Sequence, residues 1–571
     1  ATLPLLQVYN RAYPIGFPQV RTEIGERIMA EQSALMPLAV GALLIALFLL
    51  LRQLLDILTP LLTAGISILW TFGLMGWLDI PINVVTSTVP ILLIVVGSTE
   101  DVHLLAEFRH AQRRGENTRL ALEHMSRKMG RTVLLTFITT YAGFLSVGLS
   151  GIEALSQFGL VASTGLLFNF IVTVIFIPAA LSLAGRWQLD GRSRLFDEGS
   201  LRWSAAYWRF LTRHRLQAFI ALALLAAIAA TGIPRIQVNH NPIDSLGESS
   251  PVAQNIQSLN EQCAGLESVS VVIESGIQDT FLHSRYLDEL VKVQRFIQGM
   301  DSSMSVTSFA DYLTLLNNAF QESEDAGVPA SNEEITELMI FLDHDRVSSY
   351  VTEDYSQTRI LVRHDIAATD RLKSMRAELR KFLDEQLDPG LTARIAGDSI
   401  LTLSATRSMI LGQLQSVLLI LTFFILIIAF LFTDLRVGLI AALPNIFPVI
   451  ILFGVMGYAG IPLNIGTTMA AAIAIGIAVD DTLHFMLRYN QELRTSRSQT
   501  RAMQNTIYEE ALPVVSTSVA LTVGFLVFAQ SGFAPVAQFG LLSALVMSTA
   551  LLADFVITPL AISSLRLVTL W

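Results

Sequence analysis

Two stretches place acids and imidazoles where a chain this apolar should carry neither. GIAVDDTLHF holds Asp480, Asp481 and His484, and VVGSTEDVHLL holds Glu100, Asp101 and His103. On a helix Asp480 and His484 stand at i, i+4, while Asp481 and His484, and Glu100 and His103, stand at i, i+3, so each pair shares a face. A carboxylate beside an imidazole in a low-dielectric bundle can accept, hold and release a proton. Facing lipid, each carboxylate would cost about 2.5–3.5 kcal/mol and four together on the order of 10 kcal/mol, so these groups are expected to face inward. No zinc spacing, nucleotide loop or nucleophile elbow accompanies them, so no metal, no cofactor and no enzymatic reaction is expected. The single cysteine, Cys263, excludes an intrachain disulfide and a cysteine-built metal site.

Two alternatives stay open on the sequence. Glu100 and Asp101 could lie at the membrane mouth, because Glu107 and Arg109 follow within three turns. Asp480 and Asp481 could serve only as acceptors for hydroxyls of a neighbouring helix. Those hydroxyls supply the candidate relay supports Thr136 and Thr140 in one region and Thr517, Ser518 and Thr522 in another, although such groups commonly bond to their own i−4 carbonyls. Asp554 is either a further member of the proton path or an interfacial acid.

The elements that must position these groups are membrane helices. The 571 residues are 52% hydrophobic and 15% charged, with a mean hydropathy of +0.54, far from a soluble globular composition. Apolar runs near 34–52, 57–78, 85–108, 132–150, 155–184, 215–233, 409–432, 437–458, 465–489, 513–531 and 535–563 are each long enough to cross about 30 Å of hydrocarbon. They repeat: at an offset of 381, Ile80-Pro81 meets Ile461-Pro462, Asn83 meets Asn464, His103 meets His484, Thr136 meets Thr517, Phe158-Gly159 meets Phe539-Gly540 and Pro178 meets Pro559. A gapless repeat of this length predicts two copies of one folded unit around a shared midplane site, as in a transporter.

The connections 109–131 and 186–215 are rich in arginine and are expected on the cytoplasmic side. Helix counting then sets the polar insert 234–404 on the opposite side. That insert carries 27 acidic and 13 basic residues, so the formal charge of −10 sits mainly there. It reads as a solvated α+β surface, with strands at 269–274, 359–362 and 392–395 and helices near 281–298, 333–342 and 371–385, in an order that fits paired βαβ units. The expected organisation is a remnant of a first outer domain (1–33), a five-helix repeat (34–185), a linker (186–214), the first helix of the second repeat (215–233), the outer domain (234–404) and five further helices (405–565). Subtracting 381 from the second copy's start gives a first copy beginning about 180 residues before Ala1, and a parent chain with twelve helices is expected.

The doubled helical block, GIAVDD, the large insert and Asn241–Gly265 (NPIDSLGESSPVAQNIQSLNEQCAG) together resemble the resistance-nodulation-division superfamily, in its predicted-exporter branch with mycobacterial membrane protein large transporters, hopanoid exporters and, more distantly, Patched and sterol-sensing proteins. The resemblance implies a polytopic α-helical membrane protein with two five-to-six-helix repeats in pseudo-twofold arrangement and an α+β, porter-like extracytoplasmic domain. It implies proton-driven export of a hydrophobic or lipid substrate such as a sterol or hopanoid, with Asp480 and Asp481 binding the coupling proton, in a Gram-negative inner membrane. The chain departs from the pattern at Thr99, which stands where a first-copy acid would match Asp480. An insert of this size lacks long docking hairpins, so a monomer or dimer handing lipid to a periplasmic carrier is expected rather than a trimer, with no nucleic-acid partner. The competing expectation is a lipid or sterol sensor without net transport.

Overall fold

The structure, a computed structural model, describes residues 16–51, 54–184, 198–238, 250–262, 265–301, 303–323, 327–342, 344–366 and 369–563. Cys263, Arg186, Arg192, Arg194 and the start of the Asn241–Gly265 stretch lie outside the described residues. The chain divides into two units, one of residues 24–238 and 408–571, the other of 239–407 with the first residues up to Glu23.

In chain order the helices are α1 (Phe17–Leu51), α2 (Leu54–Trp77), α3 (Val89–Arg113), α4 (Thr118–Val147), α5 (Glu153–Ala184), α6 (Glu198–Arg213) and α7 (Arg215–Ala230). The outer unit follows: α8 (Pro251–Gln262), β1 (Glu267–Glu274), α9 (Ser284–Met300), β2 (Ser305–Thr307), α10 (Phe309–Phe320), α11 (Asn332–Met339), α12 (His344–Val347), β3 (Gln357–His364), α13 (Thr369–Gln386) and β4 (Thr392–Ala396). The chain then continues through α14 (Asp398–Phe432), α15 (Leu435–Ala459), α16 (Ile465–Ser496), α17 (Gln499–Phe528) and α18 (Ala534–Ser563). Eleven helices among the described residues are long and apolar enough to cross a membrane. The sequence offset survives folding: α1 and α14, and likewise α4 and α17, begin and end on residues 381 apart.

The repeated Ile-Pro-x-Asn-x-x-Thr sequence is a helix entry. Asn464 accepts from the Thr467 amide at 3.0 Å while the Thr467 hydroxyl accepts from the Asn464 amide at 2.8 Å. Asn83 and Thr86 repeat both bonds at the same lengths. Each asparagine amide also donates to a glutamine on the last helix of its copy, Gln157 at 2.9 Å and Gln538 at 2.6 Å. This motif therefore fixes the heights of α3 and α16. These two helices are the centre of the unit, with 94% of the apolar window of each buried inside the protein. Close approach comes from glycine: a Cβ on Gly143 of α4 would lie 2.9 Å from Gly476 Cα of α16, so larger residues would push the helices apart.

In the outer unit the sheet order is β2-β3-β1-β4, with every neighbouring pair antiparallel. The parallel strands β1 and β2 thus flank β3, and β3 and β4 flank β1, which is two interleaved split βαβ units through α9 and α13. Alternation in VSVVIE turns Val269, Val271 and Ile273 onto one face. Leu287, Leu290, Val293 and Ile297 of α9 cover it at helical spacing.

A polar cluster built on His364 lies in this core. His364 is fully buried; its Nδ1 accepts the Ile366 amide at 3.1 Å and its Nε2 is 3.0 Å from Ser399 Oγ, which donates to Glu267 at 3.3 Å. Because Nδ1 accepts, the neutral ring carries its proton on Nε2 and donates to Ser399. That is the reverse of the bond a serine nucleophile needs, so the cluster ties α14 to the sheet. Burial pushes the His364 imidazole down to about 4.

Candidate proton-relay site

His103 of α3 and His484 of α16 stack with ring centroids 4.0 Å apart and 12° between planes. They are repeat mates, so the pseudo-twofold axis of the unit passes between them. Around this pair six carboxyl groups are buried among the described residues: Glu100, Asp101, Asp480, Asp481, Asp554 and, on α17, Glu510. Asp480 Oδ1 stands 3.4 Å from His484 Nε2, the i, i+4 pairing its spacing predicts. Asp481 accepts from Thr517 at 3.5 Å and from Ser518 at 3.2 Å, and Thr136 borders Asp480.

Asp101 is fully buried and both its oxygens are engaged, by Thr63 of α2 at 2.5 Å and Thr173 of α5 at 2.6 Å. Asp554 on α18 is equally enclosed, accepting from Thr482 at 2.7 Å and Thr558 at 3.0 Å. Two expected supports do other things. Thr522 donates to the Ser518 carbonyl at 2.7 Å, the ordinary i−4 bond, and Thr140 donates across the repeats to the Gly476 carbonyl at 3.2 Å, bracing the glycine contact.

Several partners had no sequence signal. Thr63 and Thr558 were hidden among many membrane hydroxyls, and Asn445, which donates to Thr482 at 3.3 Å, lies in an apolar run. Glu510 of α17 is buried beside the histidines. Its carboxylate and one nitrogen from each of His103 and His484 come within 4.8 Å of one another. Nearly parallel rings direct their in-plane lone pairs side by side instead of toward one point, which is a poor start for a tetrahedral ion with about 2.0–2.1 Å to each nitrogen. What the arrangement can do is pass protons between carboxyls, imidazoles and hydroxyls in a site shut off from lipid.

The sequence profile of the MMPL family matches residues 16–218 and 246–565. The chain belongs to the MMPL family. A membrane protein of Methanocaldococcus jannaschii is 29% identical over 171 residues, covering 30% of this chain and 44% of that one. MmpL12 of Mycobacterium tuberculosis, named as a transport protein, is 24% identical over 257 residues, covering 43% of this chain and 21% of that one. The chain thus matches less than half the length of each of these relatives. Among solved structures, the hedgehog release protein Disp of the water bear Hypsibius dujardini superposes with a TM-score of 0.66 at 14% identity, over 95% of this chain and 71% of that one. The translocon-associated SecDF of Thermus thermophilus gives 0.57 at 14% identity, over 95% and 63%. These likenesses establish a resistance-nodulation-division type fold, and the family is one of multi-pass membrane transporters.

Proposed function

We propose that this MMPL-family chain is a proton-motive-force-driven secondary transporter that exports a hydrophobic or lipid substrate, of the sterol or hopanoid kind, from a Gram-negative inner membrane to the periplasm. The observation that carries the reading is the stack of His103 on His484 at the pseudo-twofold axis with Asp480 at 3.4 Å from His484. A lipid sensor needs a groove but has no use for six buried carboxyls, which are costly to insert and are found where protons or ions move. Asp480 and Asp481 take the coupling proton, His484 and His103 carry it across the axis, and Glu100, Asp101 and Asp554 complete the polar layer.

A lipid substrate is supported by a narrow cleft where Leu35, Ile91, Phe528 and Phe533 meet Arg27 and Glu31. Apolar walls with a charged rim suit an amphiphile. The cleft holds about 20 Å³ of water-accessible space, so it must widen to admit a chain. A periplasmic carrier would receive the lipid, and the protein would act as a monomer or dimer. Mass spectrometry of lipid copurifying with the protein tests the substrate class: a defined lipid enriched over the bulk membrane is expected, and its absence, with wild-type-like folding, would favour another cargo.

A further inference from the structure

One turn beyond the histidines, toward the basic connections, four charged side chains meet: Glu107 of α3, Lys128 of α4, Arg488 of α16 and Glu509 of α17. Lys128 Nζ lies 2.8 Å from Glu107 and 3.7 Å from Glu509. Arg488 pairs with Glu509 and lies 3.8 Å from Glu107. All four are mostly withdrawn from solvent, the most exposed side chain being Lys128 at 17%. At the offset of 381, Glu107 is the mate of Arg488 and Lys128 the mate of Glu509, so the two copies carry opposite signs at both positions. With identical copies the twofold axis would have brought like charges together. Inversion at both positions makes the two contacts that cross the axis attractive.

The neighbouring charges are Arg114, 3.9 Å from Glu509, His124, 3.5 Å from Glu107, and Glu492, 3.9 Å from Arg488. Beside the quartet, and reaching His103, lies a partly open chamber of about 40 Å³, lined by His103, Glu107, His110, Arg488, Glu509 and Glu510. That is room for about one or two waters. Among the described residues the Nε2 atoms of His103 and His484 accept or donate no hydrogen bond, His484 Nε2 facing Asp480 Oδ1 at 3.4 Å without hydrogen-bond geometry.

We propose that this quartet is the gate between the chamber and the basic-loop side of the membrane: paired, it narrows the chamber, and when the repeats rock apart the Lys128–Glu509 and Arg488–Glu107 contacts part and water passes freely to His103 and the His484 ring stacked on it. The inference rests on the proton-relay reading above and names the residues that control access to it.

The test uses the full chain in oriented vesicles with Cys263→Ser and a reporter, Ala106→Cys, in the chamber wall, labelled by a small charged methanethiosulfonate from the basic-loop side. Inverting the first copy alone (Glu107→Lys with Lys128→Glu) keeps the pairs within each copy and turns both crossing contacts repulsive. Labelling is expected to accelerate about tenfold, the response to shifting the open population by 1.4 kcal/mol. Adding Arg488→Glu with Glu509→Arg restores every contact with signs exchanged and should return the rate toward that of the parent. An unchanged rate in the half-inverted protein, or equal acceleration in the half- and fully inverted proteins, would overturn the gate. If the half-inverted chain fails to insert, Lys128→Met, which removes one crossing contact, decides in its place: faster labelling supports the gate and an unchanged rate overturns it. Labelling needs no transport, so a failed gate is distinguishable from a failed relay, which would show as normal export by the Asp480→Asn protein.

Discussion

Asp101 and Asp554 occupy opposite members of one pair of positions. In the first copy the acid is on the central helix and bonds Thr173 on the last helix; in the second the hydroxyl, Thr482, is on the central helix and the acid, Asp554, on the last. One acid–hydroxyl bond is kept in each half while the chemistry is exchanged, as the charges are in the Glu107–Lys128–Arg488–Glu509 quartet. The bond predicts its own cost: Thr482→Val leaves Asp554 with Thr558 alone and should destabilise the protein by about 1–3 kcal/mol, read as a lower unfolding temperature in detergent. Exchanging the pair, Thr482→Asp with Asp554→Thr, should be milder than either single change. The repeat alignment made Asp480, Asp481, Glu100 and both histidines legible, because mates stand at matching heights. It could not show Thr63 as a partner of Asp101, since the mate of Thr63 is Pro444, which has no hydroxyl. Nor did spacing separate Thr517 and Ser518, which reach Asp481, from Thr522, which bonds its own helix.

Helices are placed by caps and small residues, and these fail in predictable ways. Gly143→Val forces side-chain atoms onto the backbone of α16, which cannot retreat, and should cost about 1–3 kcal/mol; the same change's conservative control, Gly130→Ala on the same helix, meets open space and should be neutral or slightly stabilising. Thermal unfolding of the two proteins compares them directly. In the outer unit His364 gives a pH dependence. Its imidazole is held at about 4 against an ordinary 6.5, so the unfolded chain binds the proton more readily between those values. Stability is therefore complete above about pH 6.5 and falls as the pH drops toward 4, by up to about 3 kcal/mol. Acid titration followed by near-ultraviolet circular dichroism should show this loss, and His364→Gln should flatten it. The element pattern was legible where periodicity was strong, in VSVVIE and in the apolar runs. Helix α1 starts at Phe17, well before the apolar run, because Arg21, Glu23, Glu26, Arg27 and Glu31 make its first turns look like a loop by hydropathy. Helix α6 lies in the connection that its arginines mark as cytoplasmic; among its described side chains Ser204, Trp208 and Leu211 are buried, too few to mark a span.

At the scale of the molecule, two near-symmetric helical blocks meet through a buried layer of acids, hydroxyls and stacked imidazoles. One proton falling through about 100 mV supplies about 2.3 kcal/mol, enough to bias a two-state rocking equilibrium about fiftyfold. On the proposed reading, the asymmetry between Thr99 and Asp480 assigns the coupling proton to the second copy, where Asp480 stands 3.4 Å from His484. Asp480→Asn keeps the shape of that side chain and removes the group that titrates. The decisive measurement is export of the copurifying lipid by cells with an intact and with a collapsed proton gradient, for the parent and for Asp480→Asn. The account predicts gradient-dependent export by the parent and none above background by the variant, with the variant folded and inserted at parental levels; gradient-dependent export by the Asp480→Asn protein at the parental rate would contradict it.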